Sequence, residues 1–534
     1  SVRDHATLRP GPCDTPPGIM RHNPPGMRDE SRRERSMSKS TAPPATLYWH
    51  DYETFGADPA RDRPVQFAGQ RTDLDLNPIG EPLVIYARPP RDVLPQPDAC
   101  LVTGITPQLA EERGVCEAAF IGRIHDELAQ PGTCALGYNS LRFDDEVTRY
   151  TLYRNLYDPY AREWQHGCSR WDLIDALRTA YALRPEGIEW PSREAPAEPG
   201  AGGRSTPLPS LRLEDLAAAN GLEHGQAHDA LADVHATIAL ARLLRQRQPR
   251  LFDHLFANRG KRALRALVDT AAMRPLLHVS GMFGAARAFL GLVAPLAWHP
   301  ENRNELLCAD LSQDPAPLVE LPGDRLRALL YTPAADLPDG VQRPGLKSVH
   351  VNRCPVLLPP RMVDERVAAR AGLDGARCRA HLAQLRAYRE RYPGALEDKL
   401  RQVSRREPFA GADDPDLQLY AGFPGDADRR QLDRLRTLSP SELATQRPHF
   451  EDPRLQELLF RYRARNWPDT LSAEERARWD ALRFRRITEP EDPRALDLAR
   501  FHELLDARLA QPELDEGARR LLLDLQVWGD GLLV

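Results

Sequence analysis

Residues 46–55 read Thr-Leu-Tyr-Trp-His-Asp-Tyr-Glu-Thr-Phe, and this run of aromatic and β-branched residues predicts a β-strand. Successive side chains of a strand point to opposite faces, so Asp51 and Glu53 share one face while His50 lies on the other. Two carboxylates at one spot repel each other unless a cation neutralises them, and hard divalent cations prefer oxygen ligands. The pair therefore predicts a magnesium or manganese site, and we interpret His50 as a structural residue of the strand. Alone the pair is a weak signal, since a chain with 77 acidic residues holds about 11 acidic-x-acidic triplets by chance.

Two further segments place carboxylates where they can join this pair. Residues 138–144, Tyr-Asn-Ser-Leu-Arg-Phe-Asp, end a strand predicted near 133–138 and open a helix predicted near 143–156. Asp144 then lies near the first turn of that helix. His228 precedes another predicted helix, 229–246, and Asp233 lies one turn into it. The sequence thus predicts a set of four carboxylates with one adjacent histidine.

The segments around these motifs predict an α/β domain with a mixed sheet, because strands come first and helices are then interleaved with them. Further strands are predicted near 65–71 and 82–87, and further helices near 116–129, 171–182 and 211–220. The stretch from Pro185 to Pro209 is rich in Pro, Gly, Ser and Glu, which predicts a surface loop or insertion.

The rest of the chain has a different texture. From about residue 250, short apolar runs between Gly, Pro and Asn turns predict a small β-rich domain with helices near 250–267 and 323–331. From about residue 362 the pattern is helical to the end, with capping boxes predicted at Ser439–Glu442 and Ser472–Glu475. Residues 1–46 hold eight prolines and little apolar periodicity, which predicts a disordered tail.

Composition argues against several classes of protein. At 534 residues the chain is too long for one core, so we expect two to four domains. It contains no run of 18 apolar residues, so we expect no transmembrane helix and no membrane partner. Its eight cysteines form no Cys-x-x-Cys pair, which favours reduced thiols in the cytoplasm over a zinc ribbon. The net charge of −5 does not indicate nucleic-acid binding, so any such binding needs a local basic groove.

The three acidic blocks resemble the motifs of the DEDDh exonucleases, and more closely those of the bacterial exonuclease I family. Supporting segments, spread over residues 47–467, are His50–Gly56, Leu101–Pro107, Gly137–Glu146, Ala182–Gly187, Ser280–Gly284, Ala297–Asn304 and Tyr462–Asn466. The resemblance implies an α/β fold: an RNase H-like (DEDDh) exonuclease domain with a mixed sheet, then an SH3-like β-rich domain and an all-α C-terminal domain. We place these domains at residues 47–248, 249–398 and 399–534. The chain departs from the family in its long tail before Met37 and its expanded loop at 190–208.

The resemblance also implies an activity, namely processive 3′→5′ degradation of single-stranded DNA to 5′-mononucleotides in DNA repair and recombination. It assigns Asp51, Glu53, Asp144 and Asp233 to binding two Mg²⁺ ions, for which Mn²⁺ can substitute. It assigns His228 to taking a proton from the attacking water.

Contacts with the DNA are implied in the same way for Glu53, Arg149, Tyr160, Trp164 and Arg212. The family fold further implies a monomer that closes around one strand, and it implies a protein partner. That partner is the acidic, Phe-ending tail of single-stranded-DNA-binding protein.

An aromatic stripe includes two of these predicted contacts. Its members, Tyr150, Tyr153, Tyr157, Tyr160 and Trp164, recur at spacings of three and four residues. Such a stripe is typical of a helix face that packs against a core. It is also compatible with a platform on which unpaired bases stack.

Two other functions remain open. An RNA-trimming exonuclease has the same catalytic set, although the length of 534 residues favours the DNA enzyme because small RNA-trimming relatives generally lack the appended domains. A non-catalytic strand-binding protein with a decayed site is disfavoured, because all five catalytic positions hold the expected residue types.

Overall fold

A five-stranded mixed sheet carries the two carboxylates of the first motif. The computed structural model describes residues 45–193, 207–222, 229–333, 336–338, 340–405 and 413–533. The strands are β1 Thr46–Thr54, β2 Pro64–Thr72, β3 Pro78–Tyr86, β4 Thr133–Gly137 and β5 Ser169–Asp172. Their order is β3-β2-β1-β4-β5; β2 runs antiparallel to its neighbours β1 and β3, and β4 and β5 run parallel to β1.

Helices of the same part of the chain lie around this sheet, on its two faces and beside it. They are α1 Pro97–Thr103, α2 Pro107–Arg113, α3 Glu117–Leu128, α4 Asp144–Arg154, α5 Leu173–Leu183, α6 Leu213–Ala219, α7 Ala230–Arg247, α8 Pro249–Ala257 and α9 Lys261–Leu267. Trp49 of β1 joins the core against Val234 and Ile238 of α7. Tyr52, on the opposite face of β1, joins a second core with Phe120 of α3. The two-residue alternation of β1 therefore separates two cores and sets which face carries each polar side chain.

The predicted surface insertion is anchored by a short ladder. The strands β6 Ser192–Arg193 and β7 Leu208–Pro209 pair antiparallel at its base. Residues 194–206, which make up most of the expanded loop, lie outside the described residues. The same holds for residues 1–44, so the predicted tail stays a prediction.

A second five-stranded sheet, antiparallel throughout, forms the β-rich part of the chain. Its strands are β8 Leu276–Val279, β9 Leu290–Trp298, β10 Glu305–Asp310, β11 Leu346–His350 and β12 Val356–Leu358, in the order β11-β10-β9-β8-β12. The helices α10 Ala316–Glu320 and α11 Gly323–Tyr331 follow β10. In β10, Leu306 and Cys308 face one core while Leu307 and Ala309 face another, so this strand is buried on both sides.

The C-terminal part is helical, as predicted. It comprises α12 Glu365–Ala371, α13 Gly375–Arg391, α14 Ala395–Ser404, α15 Asp426–Arg436, α16 Pro440–Thr445, α17 Arg454–Asn466, α18 Ala473–Thr488, α19 Leu498–Leu509 and α20 Glu516–Gly531. Both predicted capping boxes are confirmed: Ser439 with Glu442 opens α16, and Ser472 with Glu475 opens α18. These helices pack onto the first domain, α17 against α3 and α20 against α1 and α2.

The predicted fold class is confirmed, with local corrections. The strands β5, β10 and β12 and the helices α1 and α2 were not predicted, and the helix predicted near 250–267 is broken into α8 and α9. The placement of the three domain boundaries stays a prediction. Among the described helices, none has the length and apolar character needed to cross a membrane.

Candidate active site

Three of the predicted carboxylates meet between β1 and α7. Asp51 and Glu53 lie on the face of β1 that packs against α7, and Asp233 lies in the first turn of that helix. One carboxylate oxygen from each of the three lies within 4.8 Å of the others. Trp49, two residues before Asp51 on the strand, packs against the start of α7. This apolar contact brings Asp233 close to the two carboxylates of β1.

The fourth carboxylate reaches the same strand from α4. Asp144 is the first residue of that helix and is buried. Its Oδ1 accepts a hydrogen bond from the backbone N–H of Tyr52, between the two acidic residues of β1, at 3.1 Å. The Thr148 hydroxyl bonds to the Tyr52 hydroxyl at 3.0 Å and donates to the Asp144 carbonyl at 2.8 Å. These bonds fix the first turn of α4 against β1.

Burial and mutual repulsion make this site unfavourable for negative charge. Burial, then the charges of Asp144 and Asp233, raise the pKa of Asp51 well above 3.8. Burial, then Asp51, Asp233 and Asp229, raise the pKa of Glu53 to about 9. Burial is also the main reason why the pKa of Asp144 is raised. The charged neighbours that shift Asp51 and Glu53 are thus carboxylates, which is the condition that a bound cation relieves.

The donor set fits a hard divalent cation. Magnesium and manganese take carboxylate oxygens, whereas softer metals favour imidazole or thiolate ligands. Asp51, Glu53 and Asp233 offer such oxygens within 4.8 Å of one another, and the bond to Tyr52 holds Asp144 beside them.

His228 lies outside the described residues, together with 223–227. Its assignment as the general base therefore stays a prediction. The described chain resumes at Asp229, which directly precedes α7 and makes no side-chain cap hydrogen bond to it.

The predicted DNA contacts lie in two different environments. The Trp164 side chain is 65% exposed, and Arg212 is exposed just before α6. Tyr160 is half-buried. Arg149 is buried; its Nε donates to Glu163 at 2.7 Å and its guanidinium lies 5.4 Å from the Tyr160 ring centroid.

The aromatic stripe divides between the core and the surface. Tyr150 and Tyr153 lie in a core shared with the C-terminal helices, beside Leu455 and Leu459. This part of the stripe packs as a helix face does. Trp164, at the other end, remains available to a ligand.

Two exposed aromatic residues beside this surface were not found from the sequence. Phe423 is 73% exposed, and its ring meets that of Tyr160 edge to face at 5.4 Å between centroids. Tyr420 is 57% exposed, and its hydroxyl donates to Glu146. They lie about 260 residues further along the chain, in the segment Leu-Tyr-Ala-Gly-Phe, which has no helical period. In the sequence, the two aromatic residues of this segment are the only local signal of a surface that can bind bases.

A basic cavity of about 480 Å³ opens next to the loop that leads to Asp144. Four cationic side chains line it, Arg142, Arg178, Lys347 and Arg353, and they outnumber its three carboxylates by one. The cavity lies between the first domain and the β-rich part, and it is a local group of cationic side chains that the overall charge does not reveal.

Known proteins similar to this chain cover nearly its whole described length. Three family models match: "Exonuclease" at residues 48–241, "Exonuclease I SH3-like domain" at 259–406 and "Exonuclease I C-terminal domain" at 413–532. The Exodeoxyribonuclease I of Escherichia coli K12 is 52% identical over 435 residues, which are 82% of this chain and 88% of that protein.

Two solved structures extend the likeness to three dimensions. An Exonuclease I from Methylocaldum szegediense is 52% identical, with a TM-score of 0.85, over 92% of this chain and 100% of its own. The zinc-bound form of an E. coli exonuclease I complex with single-stranded DNA is 47% identical, with a TM-score of 0.84, over 92% of this chain and 100% of its own.

Proposed function

The chain belongs to the exonuclease I family, and from this premise we propose that it is a Mg²⁺-dependent enzyme that removes nucleotides from the 3′ end of single-stranded DNA. The observation that carries the proposal is the meeting of Asp51, Glu53 and Asp233 within 4.8 Å, beside Asp144. A related structure contains both a divalent metal and single-stranded DNA, which supports the same reaction here.

The metal ligands we propose are Asp51, Glu53, Asp144 and Asp233, for two Mg²⁺ ions that Mn²⁺ can replace. When bound, such ions supply Lewis-acid activation of a water and neutralise charge on the leaving 3′ oxygen. The elements β1, α4 and α7 position these four carboxylates.

We propose that His228 takes the proton from the attacking water. Its ordinary pKa of about 6.5 suits a general base near neutral pH. The water oxygen bonds to the phosphorus as the bond to the 3′ oxygen breaks. The products are a 5′-mononucleotide and a strand shortened by one residue.

Recognition of single strands is proposed to depend on exposed aromatic groups. Unpaired bases can stack on Trp164 and Tyr160, and the exposed ring of Phe423 extends the same surface. Arg212 and the basic cavity would contact phosphates, and Arg149 would hold Tyr160 in place. Paired bases offer no free faces, so a duplex is expected to be a poor substrate.

The three proposed domains, 47–248, 249–398 and 399–534, would surround the strand and allow many steps without release. By family resemblance we also propose a monomer that acts in DNA repair and recombination and binds the acidic tail of single-stranded-DNA-binding protein. A cytoplasmic location is proposed as well, since the seven cysteines among the described residues are all free thiols.

The test is digestion of 5′-labelled single-stranded DNA, duplex DNA and matched RNA with Mg²⁺. We expect shortening from the 3′ end of the single-stranded DNA alone. Asp51→Ala should lose cleavage but still bind DNA, and His228→Ala should lose most of its rate. Preferred digestion of RNA would favour the trimming function, and full activity of Asp51→Ala would contradict the metal assignment.

A further inference from the structure

A buried ion-pair network begins at Asp145, the neighbour of the proposed metal ligand Asp144. The Asp145 carboxylate is 2% exposed and accepts from Arg162 at 2.6 Å and from Arg170 at 2.5 Å. Arg162 is also buried, and its Nε and Nη1 have no hydrogen-bond partner among the described residues. Asp145 is therefore the group that neutralises Arg162.

The two arginines are themselves firmly held. Arg170 lies on β5, pairs with Glu163 at 2.9 Å and donates to the carbonyl of Asn352, in the β-rich part of the chain, at 3.0 Å. Its own carbonyl accepts from the Cys354 thiol at 3.2 Å. Arg162 lies in the short turn between Tyr160 and Trp164. Asp145 is thus bound to fixed elements rather than to mobile side chains.

This anchorage acts on the turn of helix that presents Asp144. Asp144 and Asp145 are the first two residues of α4, and their side chains bond to different parts of the fold. One reaches the Tyr52 N–H of β1, and the other reaches β5 and the turn at 161–163. The start of α4 is therefore attached on two sides.

We propose that Asp145 is a positioning residue: through Arg162 and Arg170 it holds the first turn of α4 so that the Asp144 carboxylate completes the metal site. The inference rests on the proposed function, because it requires Asp144 to bind metal. Both oxygens of the Asp145 carboxylate already accept from arginines, Oδ1 from Arg162 and Oδ2 from Arg170.

The test is the affinity for Mn²⁺, measured by titration calorimetry on the full chain without DNA, together with kcat and KM on single-stranded DNA. Asp145→Asn should weaken Mn²⁺ binding about tenfold, as is typical when a group that orients a metal ligand is removed. Its kcat should fall at low Mn²⁺ and recover as Mn²⁺ is raised, with KM for DNA little changed. If this variant does not fold, Asp145→Asn/Arg162→Gln, which removes the unbalanced charge, should show the same weakening.

Asp416→Asn is the matched control. Asp416 is equally buried and bonds to Arg461 and Arg465, neither of which lies in α4. Its segment meets α4 at Tyr153, near the end of the helix opposite to the turn that presents Asp144. It should lower the melting temperature and leave Mn²⁺ affinity at the wild-type value.

Each outcome has a distinct meaning. Wild-type Mn²⁺ affinity in Asp145→Asn overturns the inference, as does an equal weakening in Asp416→Asn, which would show general destabilisation. A wild-type chain that neither binds Mn²⁺ nor degrades DNA overturns the proposed function instead.

Discussion

Replacing Glu53 with glutamine should stabilise the metal-free protein while it abolishes the metal-dependent activity. The Glu53 side chain is 8% exposed and faces Asp51 and Asp233. The substitution removes no attractive charge interaction, because the charged neighbours that shift the pKa of Glu53 are carboxylates. Glutamine keeps the shape of the side chain and removes the charge.

The magnitude follows from the pKa of Glu53, which burial and then Asp51 raise from 4.5 to about 9. At pH 7 the unfolded chain ionises this carboxyl, whereas the folded metal-free chain holds it protonated. Keeping that proton costs about 3 kcal/mol, since each pH unit above the unfolded pKa is worth about 1.4 kcal/mol. The stability that Glu53 contributes is complete below pH 4.5 and is lost as the pH rises towards 9. The variant should therefore exceed wild type most clearly at pH 9 and scarcely at pH 4.5.

The assay is thermal unfolding of both proteins across this pH range, in EDTA and in Mg²⁺. In EDTA at pH 7 the Glu53→Gln protein should melt at the higher temperature. Added Mg²⁺ should raise the melting temperature of wild type and have little effect on the variant. Glu214→Gln, which alters an exposed carboxylate, should behave as wild type in both media. A variant that is less stable than wild type in EDTA would refute the account of the carboxylates as a repulsive set.

Asp416→Asn should instead lower the stability of the fold. We expect a loss of about 3–5 kcal/mol in denaturant unfolding, because Arg465 and Arg461 lose a buried partner. Burial raises the pKa of Asp416, but those arginines hold it below 3.8. The stabilisation is therefore present above about pH 4 and is lost at lower pH. An unfolding midpoint equal to wild type would contradict the pairing. Trp164→Ala should weaken binding of single-stranded DNA by about 1–3 kcal/mol, measured by fluorescence anisotropy in an inactive Asp51→Ala background. Its melting temperature should not change, since Trp164 is 65% exposed, and unaltered DNA affinity would remove this residue from the proposed strand path.

Local rules were sufficient for the parts of the site that depend on a few adjacent residues. The alternation along β1 predicted that Asp51 and Glu53 share a face, and the helix starts predicted where Asp144 and Asp233 lie. The two capping boxes were predicted for the same reason, because both partners lie within one turn.

Elements whose stability depends on distant partners were missed. The strand β5 has the sequence Ser-Arg-Trp-Asp, in which Arg170 and Asp172 look like surface residues. Both are buried, Arg170 against Asp145 and Asp172 against the backbone N–H groups of Asn139 and Leu141. The strand β10 is a short apolar run buried on both faces, and periodicity alone does not distinguish such a run from a segment of buried helix.

The same limit explains why the surface near the site was only partly predicted. Spacing alone could not show that Arg149 is buried against Glu163 while Trp164 is exposed. Nor could it place Phe423 beside Tyr160, since the two come together only when the C-terminal helices dock on α4.

Adjacent residues Asp144 and Asp145 show why the count of charges says so little about metal binding. Both are buried, yet the pKa of Asp144 is raised, whereas Arg170 and Arg162 hold that of Asp145 below its ordinary range despite burial. Asp145 has its counter-charge within the fold, and the same is true of Asp416. Asp51 and Glu53 are surrounded by other carboxylates, so their counter-charge has to come from outside. A metal site is therefore distinguished from a structural ion pair by whether a guanidinium reaches the carboxylate, and this depends on the tertiary packing.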